Sequence, residues 1–191
     1  SGDVMLVRAY DLLLSVSADK LPSVLKAFNQ CAAEVCEGQQ WDMNYESLQQ
    51  VSEEAYLDMI RLKTAVLLGF SLQLGGMLAG AGQQDCDLLY QFGVNIGISF
   101  QLKDDLLDVY ADQEKFGKQV GGDIIANKKT FLLIKALEKA DPRQKVVLED
   151  WLSRTSFDKE EKVNAVKAIY DSLEIRELTR QKMDEYFEAG M

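Results

Sequence analysis

The sequence FQLKDDLLD at residues 100–108 sets three carboxylates into an otherwise apolar run. In an α-helix each residue advances by about 100°, so Asp104 and Asp108 would lie about 40° apart on one face, with Asp105 beside them and Gln101 one turn earlier. Three negative charges crowded on a half-buried face repel one another. The stretch therefore predicts either a compensating cation or metal ion, or a plain acidic patch that is solvated.

The rest of the chain predicts helices throughout, because it contains only two prolines and almost no alternating β-branched runs. Apolar periodicity places helices at about residues 3–16, 21–42, 53–80, 86–110, 131–139, 142–152, 159–173 and 175–189. Residues 111–130, rich in glycine and charge, are predicted to form an ordered loop. A length of 191 residues suits one domain covering residues 1–191, since no linker or repeat divides the sequence.

Two of these helices are predicted to be central. The helix at 86–110 is apolar nearly all round until the aspartates, which is typical of a buried helix. The helix at 53–80 contains Gly69, Gly75, Gly76 and Gly80, each of which costs about 1 kcal/mol relative to alanine. Such glycines usually permit the close approach of another helix or a ligand. Residues 64–82 form the best membrane candidate, but one glutamine and five glycines favour a buried core helix.

The composition excludes several functions. A net charge of -10 argues against a general nucleic-acid surface. The chain has no histidine, so Ser-His triads and histidine metal sites are excluded, and carboxylates are left as ligands for a hard cation. The three cysteines lack zinc-ligand spacing, and their odd number suggests reduced thiols in a cytoplasmic protein.

A second group of charged residues follows the aspartates. Residues 117–130 contain Gly117, Lys118, Asp123 and the run NKKT, which supply carboxylates for magnesium and ammonium groups for phosphate oxygens. Lys63, beside Thr64, lies in the middle of an apolar run, where a lysine commonly extends its ammonium group to solvent. If that helix packs against the aspartate helix, Lys63 and Thr64 would instead face the same polar pocket.

Together these residues resemble the motifs of the trans-type isoprenyl diphosphate synthases, also called polyprenyl synthetases. The family's second aspartate-rich motif, Phe-Gln-x-x-Asp-Asp-x-x-Asp, is similar to residues 100–108. Its Gly-Lys and Asp-Ile-x-x-x-Lys-x-Thr elements resemble residues 117–118 and 123–130, its Lys-Thr pair residues 63–64, and its Gly-Gln-x-x-Asp element residues 38–42. Each element alone is a weak signal, but four in the family's order form a strong one. Asn127 stands where many members have glycine, and asparagine also accepts left-handed backbone angles.

The resemblance implies an all-α fold of the isoprenoid synthase type, an antiparallel helical bundle around a central cavity. It implies a prenyltransferase that joins an allylic diphosphate to isopentenyl diphosphate with Mg²⁺ as cofactor. It also implies a homodimer, with the helix from Cys86 to Phe100 as a contact. The Gly-Gln-x-x-Asp form resembles short-chain farnesyl or geranylgeranyl synthases more than long-chain ones.

The resemblance also implies roles for individual residues. Magnesium would be bound by four carboxylates, those of Asp104, Asp105, Asp108 and Asp123. The diphosphate would be held by three ammonium groups, those of Lys63, Lys118 and Lys128. Thr64 and Gln101 would act with Lys63 in catalysis by orienting their oxygens toward the carbocation that forms when the allylic carbon–oxygen bond ionises. The cavity would be lined by Gln39, Asp42 and Phe100.

Some of the family's motifs are absent from this sequence: the first DDxxD motif, its arginine pair and the upstream Gly-Lys-x-x-Arg that binds isopentenyl diphosphate. The chain begins Ser1-Gly2-Asp3 and enters a helical pattern at once, and it ends at Met191 with that pattern unfinished. We therefore expect an incomplete bundle, without its N- and C-terminal helices, that has no synthase activity on its own.

Three other functions compete with this one. A non-catalytic, prenyl-synthase-like regulatory subunit would be expected to have lost its metal and phosphate ligands, whereas these residues are present here. A terpene cyclase of the same helical fold is disfavoured because its asparagine/serine/glutamate metal motif is not found on any predicted helix. A plain helical interaction domain, whose acidic patch is only solvated, stays open. Binding of magnesium with an allylic diphosphate would separate these alternatives.

Overall fold

The computed structural model describes residues 1–111 and 120–191 of the chain. In these two ranges the regular elements are all helical, as predicted. They are α1 (Gly2–Leu13), α2 (Leu21–Glu46), α3 (Glu53–Ile60), a π-turn (Arg61–Ala65), α4 (Val66–Ala79), α5 (Gln83–Tyr110), the short α6 (Gly122–Ile125), α7 (Phe131–Lys139), α8 (Pro142–Ser153), α9 (Lys159–Ser172) and α10 (Ile175–Gly190).

The helix predicted at 53–80 begins as expected but is interrupted. The Ser52 hydroxyl caps α3 by accepting a hydrogen bond from the Ala55 amide at 3.1 Å. At Arg61–Ala65 the backbone widens into a π-turn before α4 continues. Single π-turns inside longer helices recur at functional sites because they redirect side chains. Here the π-turn carries Lys63 and Thr64.

Small residues bring α4 and α5 into close contact. A Cβ atom at Gly93 would lie 2.6 Å from the Gly69 Cα, and one at Gly97 would lie 2.6 Å from the Ala65 Cα. The prediction that glycines permit close helix packing is confirmed for Gly69. It is wrong for Gly75, because a Cβ atom there would meet no atom within 4 Å.

The core consists of connected apolar clusters, and α5 contributes to two of them. Leu102 packs in a cluster with residues of α3, the π-turn and α7, among them Tyr56, Ala65 and Phe131. One turn later, Leu106 packs in a second cluster with residues of α7 to α10, among them Leu132, Leu148 and Ile175. The aspartate stretch is therefore anchored on both sides, which fixes the direction of each polar side chain between these leucines.

By length and composition alone, the run Glu53–Ala79 could cross a membrane. In the fold it is divided by the π-turn and packs against both α2 and α5. This packing supports the interpretation of the run as a core helix.

Candidate active site

A polar pocket lies where α2, α3, the π-turn and α5 meet the segment that contains α6. It holds seven of the residues that the sequence singled out: Asp42, Lys63, Thr64, Gln101, Asp105, Asp123 and Lys128. The cavity measures about 70 Å³. The conditional prediction for Lys63 and Thr64 is confirmed, because both line the same pocket as Gln101 and Asp105 of the aspartate helix.

An ion pair joins Lys63 to α2. The Lys63 Nζ lies 2.5 Å from Oδ2 of Asp42, and both side chains are partly exposed at the pocket. The sequence predicts this helix to about Asp42, with residues 38–42 either closing it or continuing it as a polar tail. In the structure α2 continues to Glu46 and so carries Asp42 within its last turns. Lys63 therefore presents its positive charge at the pocket instead of extending it to bulk solvent.

A chain of hydrogen bonds crosses the pocket floor from the π-turn to α3. The Thr64 hydroxyl donates to Oε1 of Gln101 at 3.2 Å, and the Gln101 amide donates from Nε2 to Oδ1 of Asp105 at 3.0 Å. The Tyr56 hydroxyl donates a hydrogen bond to the other oxygen, Oδ2 of Asp105. Each oxygen of the Asp105 carboxylate thus accepts a hydrogen bond from a pocket residue.

Burial has the largest effect on the pKa values of Asp105 and Tyr56 in this series of hydrogen bonds. Asp105 is 5% exposed, and its loss of solvent raises its pKa to about 7, although the hydrogen bonds from Tyr56 and Gln101 oppose the rise. The negative charges of Asp123 and Asp104 raise the pKa of Asp105 further. The pKa of Tyr56 is raised well above its ordinary value by burial and by the adjacent Asp105 carboxylate.

Asp108 organises the start of α6 on the other side of the pocket. Its Oδ2 accepts a hydrogen bond from the Asp123 backbone amide at 2.9 Å, and its backbone carbonyl accepts one from the Gly121 amide. Burial raises the pKa of Asp108, and the hydrogen bond from the Asp123 amide counteracts part of this effect. The Asp123 carboxylate in turn pairs with the Lys128 Nζ at 2.9 Å, and this hydrogen bond raises the pKa of Lys128.

The turn between Asp123 and Lys128 depends on Asn127. Its φ angle is 55°, so the expectation that asparagine accepts a left-handed conformation here is confirmed. The Asn127 side chain donates to the Leu152 carbonyl at 3.0 Å and accepts from the Lys162 Nζ at 2.5 Å. Lys162 is only 1% exposed, and burial lowers its pKa.

Several expected site residues lie elsewhere or face other directions. This pocket is not lined by four of them, Gln39, Phe100, Asp104 and Asp108. The first three are exposed, Phe100 to 59%, and Asp108 is half-buried. The three carboxylates expected to crowd one half-buried face instead occupy three environments: Asp104 is exposed, Asp105 is buried and Asp108 is half-buried. The remaining expected ligand, Lys118, lies with Gly117 outside the described residues.

The carboxylates of α5 could provide a magnesium ion with at most two ligands. In residues 1–111 and 120–191 no three carboxylates or thiols come together as a metal cluster. Mg²⁺ is commonly bound by one or two carboxylates together with substrate phosphate oxygens, so Asp104 and Asp108, one turn apart, suit it. Magnesium binding by Asp104, Asp105, Asp108 and Asp123 remains a prediction, and Asp105 suits it least because both of its oxygens are already hydrogen-bonded.

Tyr56 is a site residue that the sequence reasoning missed. It is 2% exposed and borders the pocket through its hydroxyl. In the sequence it is one aromatic residue on the apolar side of a helix, a pattern that core tyrosines share. Only its contact with the Asp105 carboxylate distinguishes Tyr56 from an ordinary core tyrosine.

Known proteins share the sequence pattern and the helical fold of this chain. A profile of the polyprenyl synthetase family matches residues 1–171, and the chain therefore belongs to the polyprenyl synthetase family. A short chain isoprenyl diphosphate synthase of Methanocaldococcus jannaschii is 37% identical over 91% of this chain and 53% of the relative. A geranylgeranyl diphosphate synthase of Sulfolobus acidocaldarius is 38% identical over 88% of this chain and 52% of the relative.

A solved structure agrees with this assignment. The geranylgeranyl pyrophosphate synthase of Corynebacterium glutamicum, complexed with isoprenyl diphosphate and magnesium, superposes with a TM-score of 0.88 at 32% identity. The superposition covers 99% of this chain and 54% of that protein. The chain thus has the fold of this family and spans about half the length of the relatives it matches.

Proposed function

We propose that this chain supplies the allylic-diphosphate side of the active site of a short-chain isoprenyl diphosphate synthase. The observation that carries the proposal is the convergence of Lys63, the Thr64–Gln101 pair and the Asp123–Lys128 pair on one pocket. Cationic groups stabilise the negative charge of a departing diphosphate, and hydroxyl or amide oxygens stabilise the carbon that gains positive charge.

The proposed role of each site residue follows from the chemistry of its side chain. The ammonium groups of Lys63 and Lys128 would donate to diphosphate oxygens in place of their present carboxylate partners. Thr64 and Gln101 would present oxygen lone pairs to the allylic carbon. Asp104 and Asp108 would hold magnesium, whose Lewis acidity stabilises negative charge on a departing diphosphate. No histidine or other protein nucleophile is required, in agreement with the composition.

We infer further that these 191 residues alone bind the diphosphate without completing the condensation. The inference is supported by the presence of a single DDxxD motif in the sequence, since the resemblance calls for a second one. Short-chain products are supported by the Gly-Gln-x-x-Asp element and by the names of the two relatives, a short chain synthase and a geranylgeranyl synthase.

A homodimer is part of the same proposal. Large apolar side chains are exposed on the neighbouring helices α4 and α5, among them Leu67, Leu72, Leu88 and Phe92. Such a patch is typical of an association surface. Sedimentation of the chain as a monomer at micromolar concentration, unchanged by Leu88→Glu, would contradict this part.

Calorimetry with inorganic pyrophosphate, in the presence and absence of Mg²⁺, tests the proposal. We expect magnesium-dependent binding that Asp104→Asn and Lys128→Met each weaken by at least about tenfold, since charge-assisted hydrogen bonds are worth about 1.5–3 kcal/mol. Asp184→Asn, an exposed change on α10, is the matched control. Binding that is unaffected by the site substitutions would favour the helical interaction domain.

A second assay tests whether these 191 residues complete the condensation on their own. The chain is incubated with Mg²⁺, geranyl diphosphate and radiolabelled isopentenyl diphosphate, and the products are separated by chromatography. We expect no longer prenyl product. Clean formation of farnesyl or geranylgeranyl diphosphate would overturn that inference and leave the assignment as a synthase intact.

A further inference from the structure

We propose that Asp105, held by Tyr56, is a positioning residue that fixes the Gln101 carboxamide with its oxygen toward Thr64 and the pocket. It is not a magnesium ligand in this proposal. The proposal rests on the function proposed above, because it assigns that oxygen to the positive charge of an allylic substrate. It rests on geometry alone and adds Tyr56 to the site.

Asp105 is buried, and each of its carboxylate oxygens already has a hydrogen-bond donor from the protein. Asp105 is 5% exposed, Oδ1 accepts from Gln101 and Oδ2 accepts from Tyr56. A ligand of a hydrated cation must present an oxygen to solvent or substrate, as the exposed Asp104 does. Turning Asp105 toward an ion would break one of these hydrogen bonds and leave a buried donor without its partner, which costs about 1–3 kcal/mol.

The Gln101 amide has a defined direction between Asp105 and Thr64. A glutamine side chain can be placed with its oxygen and nitrogen in either position, and only its neighbours distinguish the two. Nε2 of Gln101 lies 3.0 Å from Oδ1 of Asp105, and a carboxyl oxygen without a proton can only accept a hydrogen bond, so this neighbour selects Nε2 over Oε1. The Gln101 Oε1 then points the other way and meets the Thr64 hydroxyl at 3.2 Å.

Tyr56 makes this arrangement rigid. Its hydroxyl approaches from α3, whereas Gln101 lies on the same helix as Asp105, so the carboxylate is held from two elements. Tyr56 itself is 2% exposed and packs in the cluster that contains Leu102. The orientation of Gln101 is therefore set by the buried core and does not need a substrate.

The orientation of the Gln101 amide determines whether the negative or the positive end of its dipole faces the pocket. With Oε1 outward, Gln101 and Thr64 present oxygen lone pairs, which stabilise developing positive charge. A reversed amide would present two N–H donors instead, and their partial positive charges would oppose the same carbon. The Asp105 carboxylate decides between these two orientations.

Nuclear magnetic resonance of the ¹⁵N-labelled chain tests the orientation directly. We expect the two Nε2 protons of Gln101, assigned by their loss in Gln101→Leu, to be well separated, with one shifted downfield and protected from exchange by its bond to Asp105. In Asp105→Asn, where the partner is no longer restricted to accepting, the separation should collapse. Identical signals in the two proteins would overturn the proposal. Tyr56→Phe is the second variant, and it should broaden the same signals if Asp105→Asn does not fold.

Calorimetry distinguishes positioning from metal binding. We expect Asp105→Asn to weaken the binding of magnesium pyrophosphate clearly less than Asp104→Asn, which should bind at least about tenfold more weakly than the unsubstituted chain, a difference of about 1.4 kcal/mol. Equal weakening by both substitutions would make Asp105 a ligand and overturn the proposal. If the unsubstituted chain does not bind magnesium pyrophosphate, the proposed function fails, and the resonance experiment still decides whether Asp105 orients Gln101.

Discussion

Gly38 of α2 lies directly against the backbone nitrogen of Lys63, with no room between them for a Cβ atom. One turn later on the same helix, Asp42 pairs with the Lys63 ammonium group. The glycine and the aspartate of the Gly-Gln-x-x-Asp element thus act on the same residue. The glycine lets α2 approach the π-turn, and the aspartate meets the lysine that this approach brings near.

Gly38→Ala should destabilise the fold. The added methyl group would overlap the backbone of Leu62 and Lys63, so α2 must move away, and overpacking of this kind costs about 1–3 kcal/mol. Urea denaturation followed by circular dichroism measures the change in the free energy of unfolding. Gly75→Ala is the matched control, because a Cβ atom there is free of contacts and should be neutral or stabilising by up to about 1 kcal/mol. Equal effects of the two substitutions would contradict the close packing at Gly38.

Lys63 and Asp42 should have opposite effects on anion binding. We expect Lys63→Met to weaken magnesium pyrophosphate binding about 10- to 100-fold through loss of a charged donor. Asp42→Asn should tighten binding a few-fold, because the Lys63 charge would no longer be neutralised. Calorimetry measures both, with Lys139→Met, an exposed change outside the pocket, as the control. Weaker binding in Asp42→Asn would mean that Asp42 orients Lys63 instead of competing for it.

Asp105 should make the stability of the chain depend on pH. Its pKa of about 7 in the fold lies above the ordinary value of 3.8, so the fold favours the protonated form. Stability from this group is fully present below pH 3.8 and is lost as the pH rises through about 7. Relative to Asp105→Asn, the free energy of unfolding should fall by at most about 4 kcal/mol across this window. Urea denaturation at several pH values in the presence of a chelator checks this, and parallel curves for the two proteins would contradict it.

Asn127 should be replaced more easily by glycine than by alanine. Both substitutions lose the hydrogen bonds to Lys162 and Leu152, but only alanine must also hold a φ angle of 55°. The left-handed conformation costs a residue with a Cβ atom roughly 1–2 kcal/mol. Thermal unfolding should therefore place Asn127→Ala below Asn127→Gly. The reverse order would indicate that the turn relaxes out of the left-handed conformation once the side-chain bonds are gone.

Much of the helical framework could be predicted from local patterns. The starts at Ser52 and Pro142 follow from capping chemistry, which acts within one turn of the chain. The predicted end of this helix at about Asp42 falls one turn short, since α2 continues to Glu46. Gly38 lies against Lys63, a residue far away in the sequence, and no pattern within α2 contains that information.

The sequence predicted only part of the candidate site, because the directions of side chains depend on contacts between residues that are distant in the sequence. Lys63, Thr64, Gln101, Asp123 and Lys128 could be selected because their types and order carry the chemistry. The π-turn that aims Lys63 and Thr64 at the pocket has no sequence signal that we recognise. Phe100 and Gln39 carry the family's motif and are nevertheless exposed in this chain.

The sequence by itself determined that the chain is helical, that carboxylates and lysines replace histidine chemistry, and which motifs it shares with the polyprenyl synthetases. These properties depend on residue type and local spacing. Only the tertiary structure decided that Asp105 turns inward to Tyr56 while Asp104 stays exposed. The reason is that Leu102 and Leu106 anchor α5 in two different clusters, and this packing sets the rotation of the helix and thereby the direction of each aspartate.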